Sequence, residues 1–212
     1  MSILITRPNF DATTRYLHAW AGKIKSIAEK KGIKVLDLEN ERATKKIFDS
    51  MLKAQKPSVI FFNGHGDENC IAGHENERLI EKNKDSHLLA YKIIYAVACK
   101  SAKYLGPKAI ESDAKCFVGY SQDFAFFHQN EKLSRPLEDE IAAIFLEPSN
   151  YFMASLIKGH TTAESFERSH KSFLDNIRAE LTSESKLDHT ALGFLFWDYK
   201  YQTFLGDKNA KI

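Results

Sequence analysis

Two apolar runs in this chain end in residues whose types suit acyl transfer. Ser58-Val-Ile-Phe-Phe62 breaks into Asn63-Gly64-His65-Gly66-Asp67, and Lys92-Ile-Ile-Tyr-Ala-Val-Ala98 ends in Cys99-Lys100-Ser101-Ala102. A thiolate is a strong nucleophile, but a free thiol with a pKa near ~8.5 is mostly protonated at neutral pH. A nearby imidazole takes the thiol proton and later protonates the leaving amine. The tetrahedral oxyanion formed on attack needs backbone N–H donors close by. Gly66 has no side chain to obstruct that approach, and Cys99 at a strand-to-helix junction can add its own N–H. The pair works only if the two strands are neighbours.

The elements around the pair supply that condition. Ser2 to Thr6, with Ile3 and Ile5, reads as a first strand. Asp11-Ala-Thr-Thr14 opens a helix with Leu17, Trp20, Ala21, Ile24, Ile27 and Ala28 at helical spacing, stopped by Gly32. Ile33 to Leu38 is a second strand, 41–55 a second helix, and Ser58 to Phe62 a third strand. This βαβαβ order predicts a mostly parallel sheet with helices on both faces, and open sheets of this kind place their chemistry at the carboxyl ends of the strands. Cys70 to His74 and Arg78 to Lys82 read as a small hairpin, with a helix around Ser86 to Tyr91. Lys92 to Ala98 is the fourth strand, Ser101 to Glu111 a short helix crossed by Gly106-Pro107, and Lys115 to Tyr120 the fifth strand. Ser121 to Arg135 mixes aromatic and polar residues without a clean period and reads as a functional loop. Pro136 starts a helix running to Leu146, Asn150 to Ile157 forms another, and Thr161-Thr-Ala-Glu164 has capping-box spacing before a long helix. Ala191 to Trp197 is expected to be the last apolar strand.

The composition bounds the remaining readings. At 212 residues, with 43% apolar and 27% charged residues, the chain is an ordinary globular one with a sizeable core, and no linker divides it. A formal net charge of +2 gives no reason to expect nucleic acid or an acidic membrane as a partner. The amino terminus lacks a signal-peptide pattern, and no stretch approaches the ~18 apolar residues of a membrane span. A cytoplasmic protein is therefore expected. Cys70, Cys99 and Cys116 are an odd set for a disulfide framework.

Taken together, the His-Gly pair after one strand and Ala98-Cys99-Lys100-Ser101-Ala102 after the next resemble the caspase-like (clan CD) cysteine peptidases, in particular the CHAT and gingipain-like branches. The histidine comes first, 34 positions before the cysteine (99 − 65), a compact spacing for the family. Phe117-Val-Gly-Tyr120 is similar to the family's following strand. Tyr151 to Ala163 is similar to the helix–Gly–helix passage of CHAT domains, and Leu205-Gly206-Asp207 to a gingipain-type ending. The resemblance covers most of the chain, but only the His-Gly and Ala-Cys-x-Ser-Ala motifs are specific.

The resemblance implies a single caspase-like domain over residues 1–212, a three-layer α/β/α sandwich with a mostly parallel six-stranded sheet. It implies a cysteine endopeptidase with Cys99 as nucleophile, His65 as general acid/base, and the Gly66 and Cys99 amides as oxyanion hole. The substrate is a protein or peptide cut after a charged residue, with no cofactor and no metal. A basic preference needs a buried acid to pair with the incoming cation; Asp123 is the first candidate and Asp67 the second, with Tyr120 and Ser121 at the pocket wall. CHAT-type peptidases act in bacterial defence or programmed death and are switched on by a partner protein or by self-cleavage, for which Lys132 and Arg135 offer basic sites.

Plainer readings stand beside these. A cysteine at a strand end is commonly a small hydrophobe, which is the reading for Cys116. Asp123 reads equally as a solvated loop acid, and Phe124, Phe126 and Phe127 as packing. His65, Cys70 and His74 have spacings compatible with three zinc ligands, but they are irregular and lack a fourth. A catalytically silent interaction or regulatory module of the same fold is the alternative to the peptidase. Another thiol acyltransferase would be expected to carry a Gly-x-Cys-x-Gly elbow, which this chain does not have.

Overall fold

In the computed structural model, which describes residues 1–182 and 185–212, the chain starts as β1 (Ser2–Arg7), α1 (Ala12–Lys30), β2 (Lys34–Glu39), α2 (Lys45–Gln55) and β3 (Val59–Asn63). A hairpin of β4 (Cys70–Ala72) and β5 (Arg78–Glu81) follows, then the single turn α3 (Lys82–Asp85) and β6 (Ile93–Val97). The second half runs α4 (Leu105–Glu111), β7 (Cys116–Tyr120), α5 (Glu140–Ile157), α6 (Thr162–Glu180), α7 (His189–Tyr201) and β8 (Gln202–Gly206). The main sheet has six strands in the order β2-β1-β3-β6-β7-β8, parallel throughout except for β8 at one edge.

Alternation along the strands assigns the two faces. Ile3, Ile5, Val59, Phe61, Tyr95, Val97 and Val118 face one core, shared with Tyr16, Trp20 and Ile24 of α1 and Phe152, Met153 and Leu156 of α5. Leu4, Ile60, Phe62, Ile94, Ala96 and Phe117 face the other, shared with Phe48 and Leu52 of α2 and Leu105 and Ala109 of α4. Strands covered on both faces must be apolar at every position, which is why β3 and β6 read as unbroken runs. The result is an α/β/α sandwich, with α6 and α7 packed outside α5 through Phe145, Phe173, Ile177 and Leu195.

The expected last strand is in the wrong place. Ala191 to Trp197 lies inside α7, and the edge strand is the following segment, paired antiparallel to β7 from Cys116↔Gly206 to Tyr120↔Gln202. A short continuous apolar run does not distinguish helix from strand by period. What settles it is Asp188, whose side chain accepts from Ala191 N–H as N-cap, and the burial of Ala191, Leu195 and Asp198 at helical spacing.

The two helices expected at Pro136 to Leu146 and Asn150 to Ile157 are a single one, α5, capped by Asp139 rather than opened by Pro136. Pro136 instead sits in a 3₁₀ turn. Pro148 lies within α5, where it cannot donate to the Ile144 carbonyl one turn back. Asn176 of α6 fills that vacancy, its Nδ2 donating to Ile144 O at 2.7 Å. The helix therefore continues through the proline because a neighbouring helix replaces the lost bond.

Candidate active site

Parallel pairing of β3 and β6 in the register Phe62↔Ala96 and Asn63↔Val97 brings the ends of the two apolar runs to the same level. Beyond the ladder, Gly64 N–H still donates to Val97 O at 3.3 Å. Gly66 then lies directly on the cysteine segment. A Cβ added there would stand 3.1 Å from Ala98 Cβ and 3.3 Å from Cys99 O. The glycine after His65 is thus required by a close backbone approach between the two strand ends. The loop stays seated because Leu105 N–H donates to Glu68 O (3.0 Å) and Lys103 pairs with Glu68 (2.9 Å).

The turn after Cys99 is shaped by its own side chains. Ser101, fully buried, donates from Oγ to Ala98 O at 3.0 Å, and Ala102 N–H donates to Tyr120 O at 3.0 Å. Lys100 takes a left-handed conformation (φ 53°), uncommon for a residue with a Cβ. Its N–H is fixed to Gln122 O at 2.9 Å. Among the described residues, neither Gly66 N–H nor Cys99 N–H donates to a protein acceptor.

His65 is oriented by a residue that the sequence marks only as a helix start. Its Nε2 lies 2.6 Å from Oδ2 of Asp11, the N-cap of α1. The other carboxylate oxygen accepts from Thr14 N–H at 2.7 Å. Burial works against the Asp11 carboxylate, but the Thr14 N–H and His65 outweigh it and hold its pKa below the ordinary value. A carboxylate on Nε2 fixes the neutral ring with its proton there and leaves Nδ1 as the basic nitrogen. Phe10 contacts the ring edge-on at 5.9 Å between centroids and meets His74 in the same way at 5.6 Å.

Cys99 is half-buried, and its Sγ lies 3.7 Å from Phe124 O. Burial raises the thiol pKa, with the Asp123 charge adding to it against the opposing contact to Phe124. Cys70 and Cys116 are buried and are pushed by that burial to about 11 and about 12. Cys99 alone of the three is accessible.

The candidate substrate-binding residues divide. Asp123 stands beside Cys99, but its side chain is 57% exposed and pairs with Lys100 Nζ at 3.1 Å. Asp67 caps its own turn, accepting from Asn69 and Cys70 N–H at 2.7 and 2.8 Å. Tyr120 is fully buried, donating to Ser149 Oγ at 3.0 Å, and Ser121 N–H donates to Tyr201 O at 2.9 Å. The buried acid near Cys99 is instead Asp198 of α7, which nothing in the sequence pattern singles out, because it ends an apolar run. Its Oδ1 accepts from Ala125 N–H at 3.1 Å, and Oδ2 has no partner among the described residues. Burial raises its pKa well above the ordinary carboxylate value.

This arrangement of sheet, helices and strand-end residues defines the class: the chain has the caspase-like α/β/α fold. Among solved structures it is similar to the Arg-specific cysteine proteinase gingipain R, with a TM-score of 0.62, 12% identity, and coverage of 100% of this chain and 47% of the other. A complex of the pro- and mature domains of Porphyromonas gingivalis RgpB gives 0.60, 12% identity, 98% and 47%, and a further protease structure 0.52, 12% identity, 99% and 48%. The chain thus spans about half the length of these proteins. No protein-family model and no curated protein matches it. At 12% identity the likeness fixes the fold. No helix among the described residues is long and apolar enough to cross a membrane.

Proposed function

We propose that residues 1–212 form a peptidase domain in which Cys99 attacks the scissile carbonyl, His65 moves the proton, and the Gly66 and Cys99 N–H groups receive the oxyanion. The observation that carries this reading is the convergence of Asp11, His65 and the Cys99 turn at two adjacent strand ends, with Asp11 Oδ2 on His65 Nε2 at 2.6 Å. His65 Nδ1 would take the Cys99 proton as sulfur bonds to carbon, and would return it to the leaving amine as the C–N bond breaks. Water then hydrolyses the thioester by the same route in reverse. The solved gingipains supply the fold precedent, and the sequence resemblance supplies the reading that cleavage follows a charged residue, with a basic one favoured. The CHAT resemblance adds a setting of regulated proteolysis or bacterial defence with an activating partner protein. The substrate is a protein or peptide.

The test is labelling with peptidyl acyloxymethylketones carrying Arg, Lys, Asp or Glu before the warhead, read by intact mass. A single adduct on Cys99, lost in Cys99→Ala and in His65→Ala, is expected. No adduct with any of the four residues overturns the proposal. A positional-scanning peptide library with wild type and Cys99→Ala side by side then ranks the charge preference. The second reading, a catalytically silent module, is favoured by one observation: the Cys99 sulfur faces the Phe124 carbonyl at 3.7 Å. Absence of adducts together with an intact fold would select it.

A further inference from the structure

Three consecutive residues beside the Cys99 thiol are each engaged at the backbone. Asp123 O accepts from the indole N–H of Trp197 at 2.9 Å. Phe124 O faces Cys99 Sγ at 3.7 Å. Ala125 N–H donates to Asp198 Oδ1 at 3.1 Å. Two of the three anchors are neighbours on α7, the helix that leads directly into the edge strand β8. Trp197 and Asp198 project to opposite environments. Trp197 belongs to a partly exposed aromatic surface with Tyr201, ring centroids 4.5 Å apart, whereas Asp198 is fully buried.

We infer that Trp197 and Asp198 form a clasp that holds the segment Asp123–Ala125 against the Cys99 thiol, so that the nucleophile is capped by Phe124 O until the segment moves. Phe124 O, 3.7 Å from the sulfur, obstructs approach from that side. The clasp is built for release from outside. Trp197 can be displaced by anything that binds the exposed aromatic surface, and loss of its bond removes one of the segment's backbone anchors, leaving Ala125 on Asp198, the Asp123–Lys100 ion pair and the packing of Phe124 on Tyr120. Asp198 holds the segment through a single bond, Ala125 N–H to Oδ1 at 3.1 Å, and burial raises the pKa of that carboxyl well above the ordinary value. Asp198 acts on the thiol through the segment and is a positioning residue. The clasp requires only that the thiol be reactive when uncovered, whatever substrate it serves.

The experiment measures iodoacetamide alkylation of Cys99, Cys70 and Cys116 in the native full chain at one pH, by quenched time points and peptide mass mapping. It needs no peptidase activity, so its failure and that of the peptidase reading are separable. In Trp197→Phe and in Asp198→Ala, Cys99 should react about 3- to 10-fold faster than in wild type, the factor expected for one lost hydrogen bond. Asp198→Asn, which keeps an acceptor oxygen for Ala125 N–H, should return the rate to within about twofold of wild type, whereas a merely space-filling role would not separate Asn from Ala in Cys99 alone. Cys70 and Cys116 must stay slow in every variant. If all three cysteines open together in Asp198→Ala, that variant has unfolded and Trp197→Phe with Asp198→Asn decides. An unchanged Cys99 rate in Trp197→Phe, or equal acceleration in Asp198→Asn and Asp198→Ala, overturns the clasp.

Discussion

Asp11 Oδ2 stands 2.6 Å from His65 Nε2, and the same carboxylate caps the helix that carries Trp20 and Ile24 into the core. One side chain thus ends a helix and orients an imidazole. The two roles separate by substitution. Asp11→Asn keeps a cap acceptor and loses the charge; Asp11→Ala loses both. Peptide turnover, measured as kcat/KM on the best library substrate, should fall by about 10-fold or more in both, as expected when a general base loses its orienting group. Stability should fall by about 1 kcal/mol only in Asp11→Ala, the usual value of an N-cap. Equal turnover in wild type and Asp11→Asn would remove Asp11 from the site.

The Cys99 thiol has its pKa raised above the ordinary value, first by burial and then by Asp123. In substrate-free protein the alkylation rate of Cys99 should therefore climb about tenfold per pH unit from pH ~6 to ~9 without a plateau. A plateau near neutral pH would mean a preformed thiolate–imidazolium pair. Asp123→Asn removes the nearby charge and should shift the whole profile toward lower pH.

Gly66→Ala places a methyl 3.0 Å from Cys70 O, 3.1 Å from Ala98 Cβ and 3.3 Å from Cys99 O. Two of these neighbours are backbone and cannot rotate away. The two strand ends must part by a few tenths of an ångström, and adduct formation at Cys99 should fall sharply while the far-UV spectrum is unchanged. Wild-type labelling rates in this variant would show that the approach of His65 and Cys99 is not what sets reactivity.

Asp139 and Asp198 should leave opposite marks on stability against pH. For Asp139, burial opposes ionisation, but Tyr16 OH at 2.6 Å and the N–H groups of Ala142, Gln129 and Ile141 outweigh it and lower its pKa. Its contribution is present above the unfolded value of about 3.9 and is lost as pH falls through the folded one. Asp198 is raised, so above about 3.9 the unfolded chain releases a proton that the folded chain keeps, and unfolding gains as pH rises. In thermal melts Asp139→Asn should lower Tm near pH 7, and Asp198→Asn should raise it, with both differences shrinking near pH ~3. A gain from Asp198→Asn that persisted at acid pH would show that ionisation is not its source.

The bond from Asn176 Nδ2 to Ile144 O replaces the one that Pro148 cannot make. Asn176→Ala should cost about 1 kcal/mol, the net value of one hydrogen bond to a part-buried carbonyl. With Pro148→Ala in the background the cost should shrink, since a new N–H reaches the same carbonyl. Additive effects in chemical denaturation would rule out the compensation.

The sequence by itself determined the strands up to Tyr120 and the two residues at their ends. Strands covered on both faces must be apolar throughout, and the glycine and small residues beside His65 and Cys99 mark where backbones approach. The same logic failed at Ala191–Trp197, where a run apolar at every position carries no period, and a cap at Asp188 decided for helix. It failed again across Pro148, where local chemistry ends a helix and a side chain from α6 restores it. Tertiary structure alone decided what surrounds the pair. Asp11 is 54 positions from His65 and Asp198 is 73 from Ala125, and no local spacing records that they meet. Asp123 is close to Cys99 as expected, yet it lies exposed on Lys100, because the burial of an acid depends on which helix covers it. Local pattern specifies which atoms a strand end offers. Packing specifies whether they are free, paired or covered.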